Sequence, residues 1–231
     1  MRFALRLIGT TACKWDTIIP FESLWEQYKR IIKDNGAIVL TASQPFTSAL
    51  VMSNIKMFKY ELIWCKTSSA DFVNAKNRPM KSHENILIFS NGNYANRCKN
   101  KIIYNPQDLI KIEKHRKVCK KPDIIGERKN QDNKPYIQTA KNYPLSWKII
   151  PNDYDKLHPT QKPVALFEYL IKTYTSVGDT ILDNCIGSGT TAVAAINTGR
   201  NFIGIEKEYE YVEICKKRIG ENRLKVKSKL L

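Results

Sequence analysis

The chain has 231 residues, enough to bury the core of one full α/β domain. Its formal net charge of +16 favours a polyanionic partner such as nucleic acid. The sequence shows no signal-peptide pattern and no apolar run of membrane-spanning length, so we expect a cytoplasmic protein that does not enter a membrane. The cysteines are scattered without a CxxC pair, which predicts reduced thiols and no metal site.

Strand and helix patterns alternate from the N-terminus. Residues 2–8 form a short apolar strand pattern, and a helix follows Pro20 and ends before Asn35-Gly36. Further strands are predicted at residues 37–41, 60–65 and 85–89, with a second helix after Pro45. This succession predicts a mostly parallel sheet with helices on both faces. The apolar residues of the first helix fall on one face, and we expect this face, with its aromatic residues, to pack in the core: Phe21, Leu24, Trp25, Tyr28, Ile31 and Ile32.

The periodicity fades between residues 91 and 150, where prolines, asparagines and lysines accumulate. This segment carries more than half of the net charge. It is either a solvated basic loop region or a surface that contacts nucleic-acid phosphates. The candidate phosphate contacts are Arg97, Lys99, Lys101, Lys114, Arg116, Lys117, Lys120 and Lys121, interleaved with Tyr94, Tyr104 and Tyr136.

A glycine loop follows an apolar strand at residues 181–183 and leads into a helix of small residues. Gly187 and Gly189 allow a tight turn and a close approach of the backbone to a ligand. The helix that begins near Thr190 directs its unpaired N–H groups toward the loop. A second apolar strand ends on Glu206, about as far downstream as the acid that holds ribose hydroxyls in nucleotide-binding folds. The pattern predicts a nucleotide-type cofactor site.

A second motif, His158-Pro159-Thr160-Gln161-Lys162-Pro163, precedes an amphipathic helix upstream of this loop. Together the two blocks resemble the amino-group DNA methyltransferases, which use S-adenosylmethionine (SAM). The SAM loop follows the basic segment, an order that resembles the β class of that family. A dehydrogenase would fit the loose GxGxxA pattern of the loop but would leave the first motif unexplained.

The resemblance implies a Rossmann-like SAM-methyltransferase sheet of α/β class, with helices on both faces and an inserted basic target-recognition region. It divides the chain into a catalytic part of the core at residues 1–90, the recognition region at 91–150 and a SAM-binding part at 151–231. It implies duplex DNA as partner and allows a homodimer. Asn184 and Cys185 replace the proline and phenylalanine common in the family, so apolar cover over SAM should be thin. The implied cofactor-binding residues are Thr160, Gln161, Lys162, Asp183, Cys185, Gly187, Ser188, Gly189, Thr190, Thr191 and Glu206.

The chain departs from the family at the catalytic tetrapeptide. Family members carry Asp-Pro-Pro-Tyr, or Ser-Pro-Pro with Tyr or Phe, directly before the block that here runs from Gly9 to Asp16. The tetrapeptide accepts hydrogen bonds from the target amine and stacks on the flipped base. Its slot here holds Leu5, Arg6, Leu7 and Ile8, which offer no carboxylate, proline or aromatic ring. We therefore expect impaired methyl transfer. The sequence does not contain the strand and helix that family members carry before this slot, and we expect a truncation, a frame disruption or a natural start as the explanation.

Three functions remain open. The first is methylation of adenine N6 in duplex DNA, favoured because the block from Gly9 to Asp16 is similar to that of adenine enzymes. The second is the cytosine-N4 variant of the same chemistry. The third is a catalytically inactive SAM- or DNA-binding remnant of prophage type, which the replaced tetrapeptide favours.

Overall fold

The computed structural model describes residues 3–7, 19–116, 135–153, 157–158 and 160–228. The chain forms two compact units, a larger one of Met1–Asn105 with Ser146–Leu231 and a smaller one of Pro106–Leu145. Strands and helices are numbered in chain order through both units. The strands are β1 (Phe3–Leu7), β2 (Ala37–Ala42), β3 (Phe58–Ala70), β4 (Lys81–Phe89), β5 (Ile110–Arg116), β6 (Tyr136–Lys141), β7 (Trp147–Ile149), β8 (Thr180–Asp183) and β9 (Asn201–Gly204). The helices are α1 (Phe21–Ile31), α2 (Phe46–Ser53), α3 (Val164–Tyr174), α4 (Thr190–Asn197) and α5 (Tyr209–Ser228).

The larger unit is built on a seven-stranded sheet with the order β7-β3-β4-β2-β1-β8-β9. Strands β2, β1, β8 and β9 are parallel to their neighbours in this set, and β7 is parallel to β3. Strand β4 runs antiparallel to both β2 and β3. The connection between β3 and β4 is too short for a crossover helix, so the two strands pair as a hairpin. The predicted α/β class is confirmed, and the antiparallel β4 makes the sheet mixed.

Helices cover both faces of this sheet, as predicted. Every residue of β2 is buried. Ile38 and Leu40 pack in one apolar cluster with Leu24 of α1 and Leu50 of α2. Val39 packs in a second cluster, on the opposite face, with the apolar residues of α3 and α4. Because side chains alternate across a strand, a strand that is buried throughout needs packing on both sides.

Strands β3 and β4 of the sheet are both longer than predicted. Strand β3 extends to Ala70, which pairs with Lys81 of β4, although residues 67–70 are exposed. Backbone hydrogen bonds within the hairpin extend the strand, although the side chains of these residues show no alternation of apolar and polar types. Sequence periodicity therefore could not detect this extension of β3. Strand β9, in contrast, ends at Gly204, two residues before Glu206.

The smaller unit contains the antiparallel pair β5 and β6, and most of its described side chains are exposed. Arg116 Nε donates a hydrogen bond to Gln138 Oε1 at 2.9 Å across the pair. Residues 91–105 belong to the larger unit, where Ile102 is buried in the core. The predicted recognition region of 91–150 therefore includes residues of both units. Among the described helices of the chain, none has the length and hydropathy that a membrane span requires.

Candidate functional site

The loop after β8 is braced by the carboxylate at the end of that strand. Asp183 is buried, and its Oδ1 accepts a hydrogen bond from the Cys185 N–H at 3.0 Å. Its Oδ2 accepts a hydrogen bond from the Thr191 hydroxyl in the first turn of α4. One side chain thus joins the strand, the loop and the helix and holds the backbone in a defined turn.

Two glycines in this loop have left-handed backbone conformations, with φ of 51° at Gly187 and 85° at Gly189. A Cβ at Gly189 would lie 2.6 Å from Cys215 Sγ, closer than van der Waals contact allows. A Cβ at Gly187 would lie 3.4 Å from His158 Cδ2. Backbone conformation and close packing both require glycine at position 189.

The carboxylate of Glu206 lies against the same loop. Its Oε2 accepts a hydrogen bond from the Gly187 N–H at 2.8 Å. Its Oε1 accepts hydrogen bonds from the N–H groups of Lys207 at 2.8 Å and Glu208 at 3.1 Å. The parallel pairing of β9 with β8 brings this acid to the glycine loop.

The His158 to Pro163 motif forms the opposite wall of a cleft at this loop. Gln161 Oε1 accepts hydrogen bonds from the Ser188 hydroxyl at 3.0 Å and from the Leu157 N–H at 3.1 Å. The two motif blocks are therefore joined directly. The cleft is lined by His158, Thr160, Gln161, Lys162, Phe167, Asp183, Cys185, Ile186, Gly187, Ser188 and Thr190.

His158 is a buried member of this wall that the cofactor prediction did not include. Its Nδ1 lies 3.2 Å from the Thr160 N–H and 3.0 Å from Thr160 Oγ1. Its ring centroid lies 4.2 Å from that of Tyr211. Burial lowers the pKa of His158 and the Lys162 cation lowers it further, while the Glu206 charge opposes both. A neutral ring can accept the Thr160 N–H bond at Nδ1, and a protonated ring cannot.

Lys162, which was predicted to contact the cofactor, makes an ion pair away from the loop. Its Nζ lies 2.7 Å from Glu84 Oε2 on β4. The same carboxylate is 2.6 Å from Lys66 Nζ on β3. Lys162 therefore links the motif to the sheet in addition to lining the cleft.

One face of α5 packs on the glycine loop, and the sequence analysis missed it. Tyr211 packs on His158, and Cys215 contacts Gly189. Arg218 Nη1 donates hydrogen bonds to Thr190 Oγ1 at 3.0 Å and to the Ser188 carbonyl at 3.3 Å. The three side chains are spaced i, i+4 and i+7, so helical periodicity after Glu206 was the signal that could have identified them.

Tyr28 of α1 also reaches the glycine loop. Its hydroxyl donates a hydrogen bond to Asn184 Oδ1 at 2.9 Å. Sequence analysis assigned Tyr28 to the core, and its side chain is indeed buried. The polar residue at position 184 therefore serves a contact that a proline there could not make.

The described part of the predicted catalytic slot, Leu5 to Leu7, lies on β1, which is an interior strand of the seven-stranded sheet between β2 and β8. The register of β1 pairs Leu5 with Asp183 of β8 and with Val39 of β2. Leu7 pairs with Thr41 at the end of β2. In a parallel sheet ligands bind beyond the carboxyl ends of the strands, and Asp183 at the end of β8 lines the cleft. Ile8, the last residue of the slot, lies outside the described residues.

The predicted DNA contacts are distributed over both units. Arg97, Lys99 and Lys101 are exposed in the larger unit, and Lys114 and Arg116 are exposed on β5 of the smaller unit. The aromatic residues interleaved with them, Tyr94, Tyr104 and Tyr136, are exposed as well. Three further predicted contacts lie outside the described residues: Lys117, Lys120 and Lys121.

Comparison with known proteins identifies the family. A family model described as DNA methylase matches residues 14–217, which is most of the chain. The chain belongs to the DNA methylase family. The Type II methyltransferase M.HinfI of Haemophilus influenzae is 28% identical over 216 residues, 90% of this chain and 54% of that protein. M2.DpnII of Streptococcus pneumoniae is 55% identical over 62 residues, 27% of this chain and 23% of that protein.

Solved structures agree with the assignment to the DNA methylase family. The M1.HpyAVI-SAM complex is 27% identical with a TM-score of 0.60, covering 93% of this chain and 88% of that one. The PvuII DNA methyltransferase (cytosine-N4-specific) has a TM-score of 0.62 at 15% identity, covering 95% and 84%, which is a likeness of fold alone. The chain spans about half the length of M.HinfI and less of M2.DpnII.

Proposed function

We propose that this DNA methylase transfers a methyl group from SAM to the exocyclic amine of a DNA base, with adenine N6 as the target. The observation that carries the proposal is the direct junction of the two motif blocks. Ser188 of the glycine loop donates to Gln161 of the His158 to Pro163 motif, and Glu206 accepts the Gly187 N–H. A cleft lined by both blocks is what the SAM resemblance requires.

The donor and acceptor groups of the cleft suit SAM. Glu206, beside the cleft, accepts three backbone N–H groups, and its Oε2, which accepts only one of them, can still accept a hydrogen bond from a ribose hydroxyl. Gly187 and Gly189 keep the loop free of side chains where a ligand approaches. Bound SAM would supply an electrophilic methyl group, and the similarity to the M1.HpyAVI-SAM complex supports this choice of cofactor.

The target amine needs acceptors that the slot does not supply. An exocyclic amine is a poor nucleophile because its lone pair is delocalised into the ring, so such enzymes flip the base and accept hydrogen bonds from its N–H groups. The side chains of Leu5 and Leu7 carry no acceptor, and Arg6 carries a cation that would repel a sulfonium placed beside it. Losing one preorganised group of this kind costs a factor of about a hundred to a thousand in rate. We therefore expect slow methyl transfer.

The proposal that adenine is the target base rests on fewer residues than the proposal that SAM is the cofactor. The block from Gly9 to Asp16 is similar to that of adenine enzymes, whereas the cytosine-N4-specific PvuII structure shares the fold alone. A SAM- and DNA-binding protein without activity is the second candidate, and the replaced tetrapeptide favours it. Both candidates use the same cleft and differ in turnover.

A methyl-transfer assay separates these functions. Labelled SAM is incubated with the chain and a mixed-sequence DNA duplex, and the modified nucleosides are separated and identified. We expect slow formation of N6-methyladenine. Exclusive formation of N4-methylcytosine would overturn the adenine assignment, and SAM binding without any transfer would establish the inactive form. A chain that folds and binds no SAM would overturn the proposed function.

A paired substitution tests the role of the slot. The register pairs Arg6 with Leu40 and Leu7 with Thr41 of β2, so prolines at positions 6 and 7 would lack N–H groups within a paired strand. The pair Leu5→Asp with Ile8→Tyr restores the acceptor and the ring without prolines. We expect this variant to raise adenine methylation about tenfold or more. Ordinary enzymatic rates in the unmodified chain would show that the catalytic groups lie elsewhere.

A further inference from the structure

A compact group of charges lies between the sheet and the cofactor cleft. The Glu84 carboxylate lies between two ammonium groups, with Lys66 Nζ at 2.6 Å and Lys162 Nζ at 2.7 Å. All three side chains are largely shielded from solvent, with exposed fractions of 12% for Glu84, 17% for Lys66 and 10% for Lys162. Both ammonium groups also lie over the ring of Trp64, at 4.9 Å and 5.7 Å from its centroid. Trp64 is itself buried and donates from Nε1 to the Ile150 carbonyl at 2.8 Å.

The two ion pairs of Glu84 connect different parts of the molecule. Lys66 and Glu84 lie on β3 and β4, so their ion pair stays within one hairpin. Lys162 lies in the motif between His158 and Pro163, directly after Gln161, which accepts the Ser188 hydroxyl. The Lys162 pair therefore ties this wall of the cleft to the sheet. The Lys66 pair makes no such connection.

The electrostatics favour an intact cluster. Burial alone would raise the pKa of the Glu84 carboxyl, but the two lysines outweigh it and hold that pKa below its usual range. Burial lowers the pKa of Lys162 more than the Glu84 charge raises it, and Lys66 adds to the lowering. Removing one partner of a buried pair leaves the other charge without full compensation. The ion pair therefore holds the Lys162 ammonium beside the Glu84 carboxylate, and it holds the backbone next to Lys162 in place as well.

We propose that Glu84 is a positioning residue for the cofactor, acting through Lys162 to hold Gln161 and Thr160 against the glycine loop. This inference rests on the proposed function, because the ligand of the cleft is taken to be SAM. Glu84 does not line the cleft itself, and its effect reaches the ligand through the ion pair with Lys162. Only the ion pair between Glu84 and Lys162 joins the hairpin to the motif, so Lys66 should not take part in positioning the cofactor.

The test compares two substitutions that remove opposite neighbours of one carboxylate. Lys162→Met and Lys66→Met each delete one lysine at nearly the same distance from Glu84, so their costs in stability should be similar. SAM affinity is measured by calorimetry and thermal stability by melting temperature. We expect Lys162→Met and Glu84→Gln each to weaken SAM binding about tenfold or more, and Lys66→Met to change it by less than about threefold. Lys162→Arg should retain more of the affinity than Lys162→Met, because it keeps the positive charge that pairs with Glu84.

Coupling gives a second readout. If Glu84 acts through Lys162, the double variant Glu84→Gln with Lys162→Met should bind SAM no more weakly than the weaker single variant. Equal losses of SAM affinity in Lys66→Met and Lys162→Met would overturn the inference, because a general loss of stability would then explain both. Unchanged affinity in Lys162→Met would overturn it as well.

Hydrogen exchange tests whether Lys162 ties the motif to the sheet without relying on SAM binding. Amide exchange of the peptide that spans residues 157–167 is compared in the unliganded wild type and the two lysine variants. Faster exchange in Lys162→Met than in Lys66→Met supports the tether even if the wild type binds no SAM, a result that would overturn the proposed function alone. Equal exchange in both variants would contradict the tether whatever the ligand.

Discussion

Gly189 shows how one residue determines the shape of the cofactor loop. It is the N-cap residue of α4 and has a left-handed φ of 85°, and a Cβ there would lie 2.6 Å from Cys215 Sγ. We expect Gly189→Ala to destabilise the fold by about 1–3 kcal/mol through backbone strain, with a further cost from the contact. Urea unfolding measures the change. Gly220→Ala on α5 is the matched control, since its Cβ would meet nothing within 4 Å, and it should stabilise by about 0.5–1 kcal/mol. Equal effects of the two substitutions would contradict the account of Gly189.

His158 should make stability depend on pH. Its pKa in the folded chain is lowered below 6.5, chiefly by burial, so folding favours the neutral ring. The stabilisation is complete above pH 6.5 and is lost as the pH falls through the folded pKa, because the unfolded chain binds the proton more readily. Unfolding free energies of the wild type and His158→Asn, measured from about pH 7.5 to about pH 5, should converge toward the acid end. Parallel curves would show that His158 does not titrate in this way.

Helices, strands and loops whose structure depends on a local sequence pattern could be predicted from the sequence. The apolar face of α1 placed Leu24, Trp25 and Tyr28 in the core, and the structure confirms them as buried. The glycine loop between β8 and α4 could also be predicted, because an apolar strand, the glycines and the small residues of a helix follow one another directly in the sequence. The contacts of Glu84 with Lys162 and of Tyr28 with Asn184 could not be predicted, since each joins residues that only the sheet order brings together.

The β5 and β6 pair carries the prediction for DNA. Lys114 and Arg116 are exposed on β5. If the smaller unit contacts phosphates, replacing both residues with glutamine should flatten the plot of log affinity against log salt concentration by about one to two units. Replacing Lys29 and Arg30, which are exposed on α1 outside the basic region, is the control and should leave the slope unchanged. Fluorescence anisotropy with a labelled duplex measures both, and an unaltered slope in the first variant would indicate a solvated surface.

For the whole molecule, family and fold could be predicted from two short motifs, whereas the working geometry of the site could not. Of the eleven cofactor-site residues that the motifs named, eight line the cleft, and Gly189, Thr191 and Glu206 lie at the same loop without lining it. They did not reveal that α5 supplies Arg218 and Tyr211, because no conspicuous residue type marks that helix. They also did not reveal that the basic segment is divided between two compact units, because its charge runs across the boundary at Pro106.

The central claim is that the two motif blocks form one SAM site, and calorimetric titration of SAM into the folded chain tests it most directly. We expect binding of one SAM per chain. Glu206→Ala should weaken that binding by about 1–3 kcal/mol, because it removes a charged acceptor from the loop. Glu210→Ala, at an exposed position in the first turn of α5, should leave the affinity unchanged. A folded chain that binds no SAM, or one in which both substitutions have the same effect, would contradict the account.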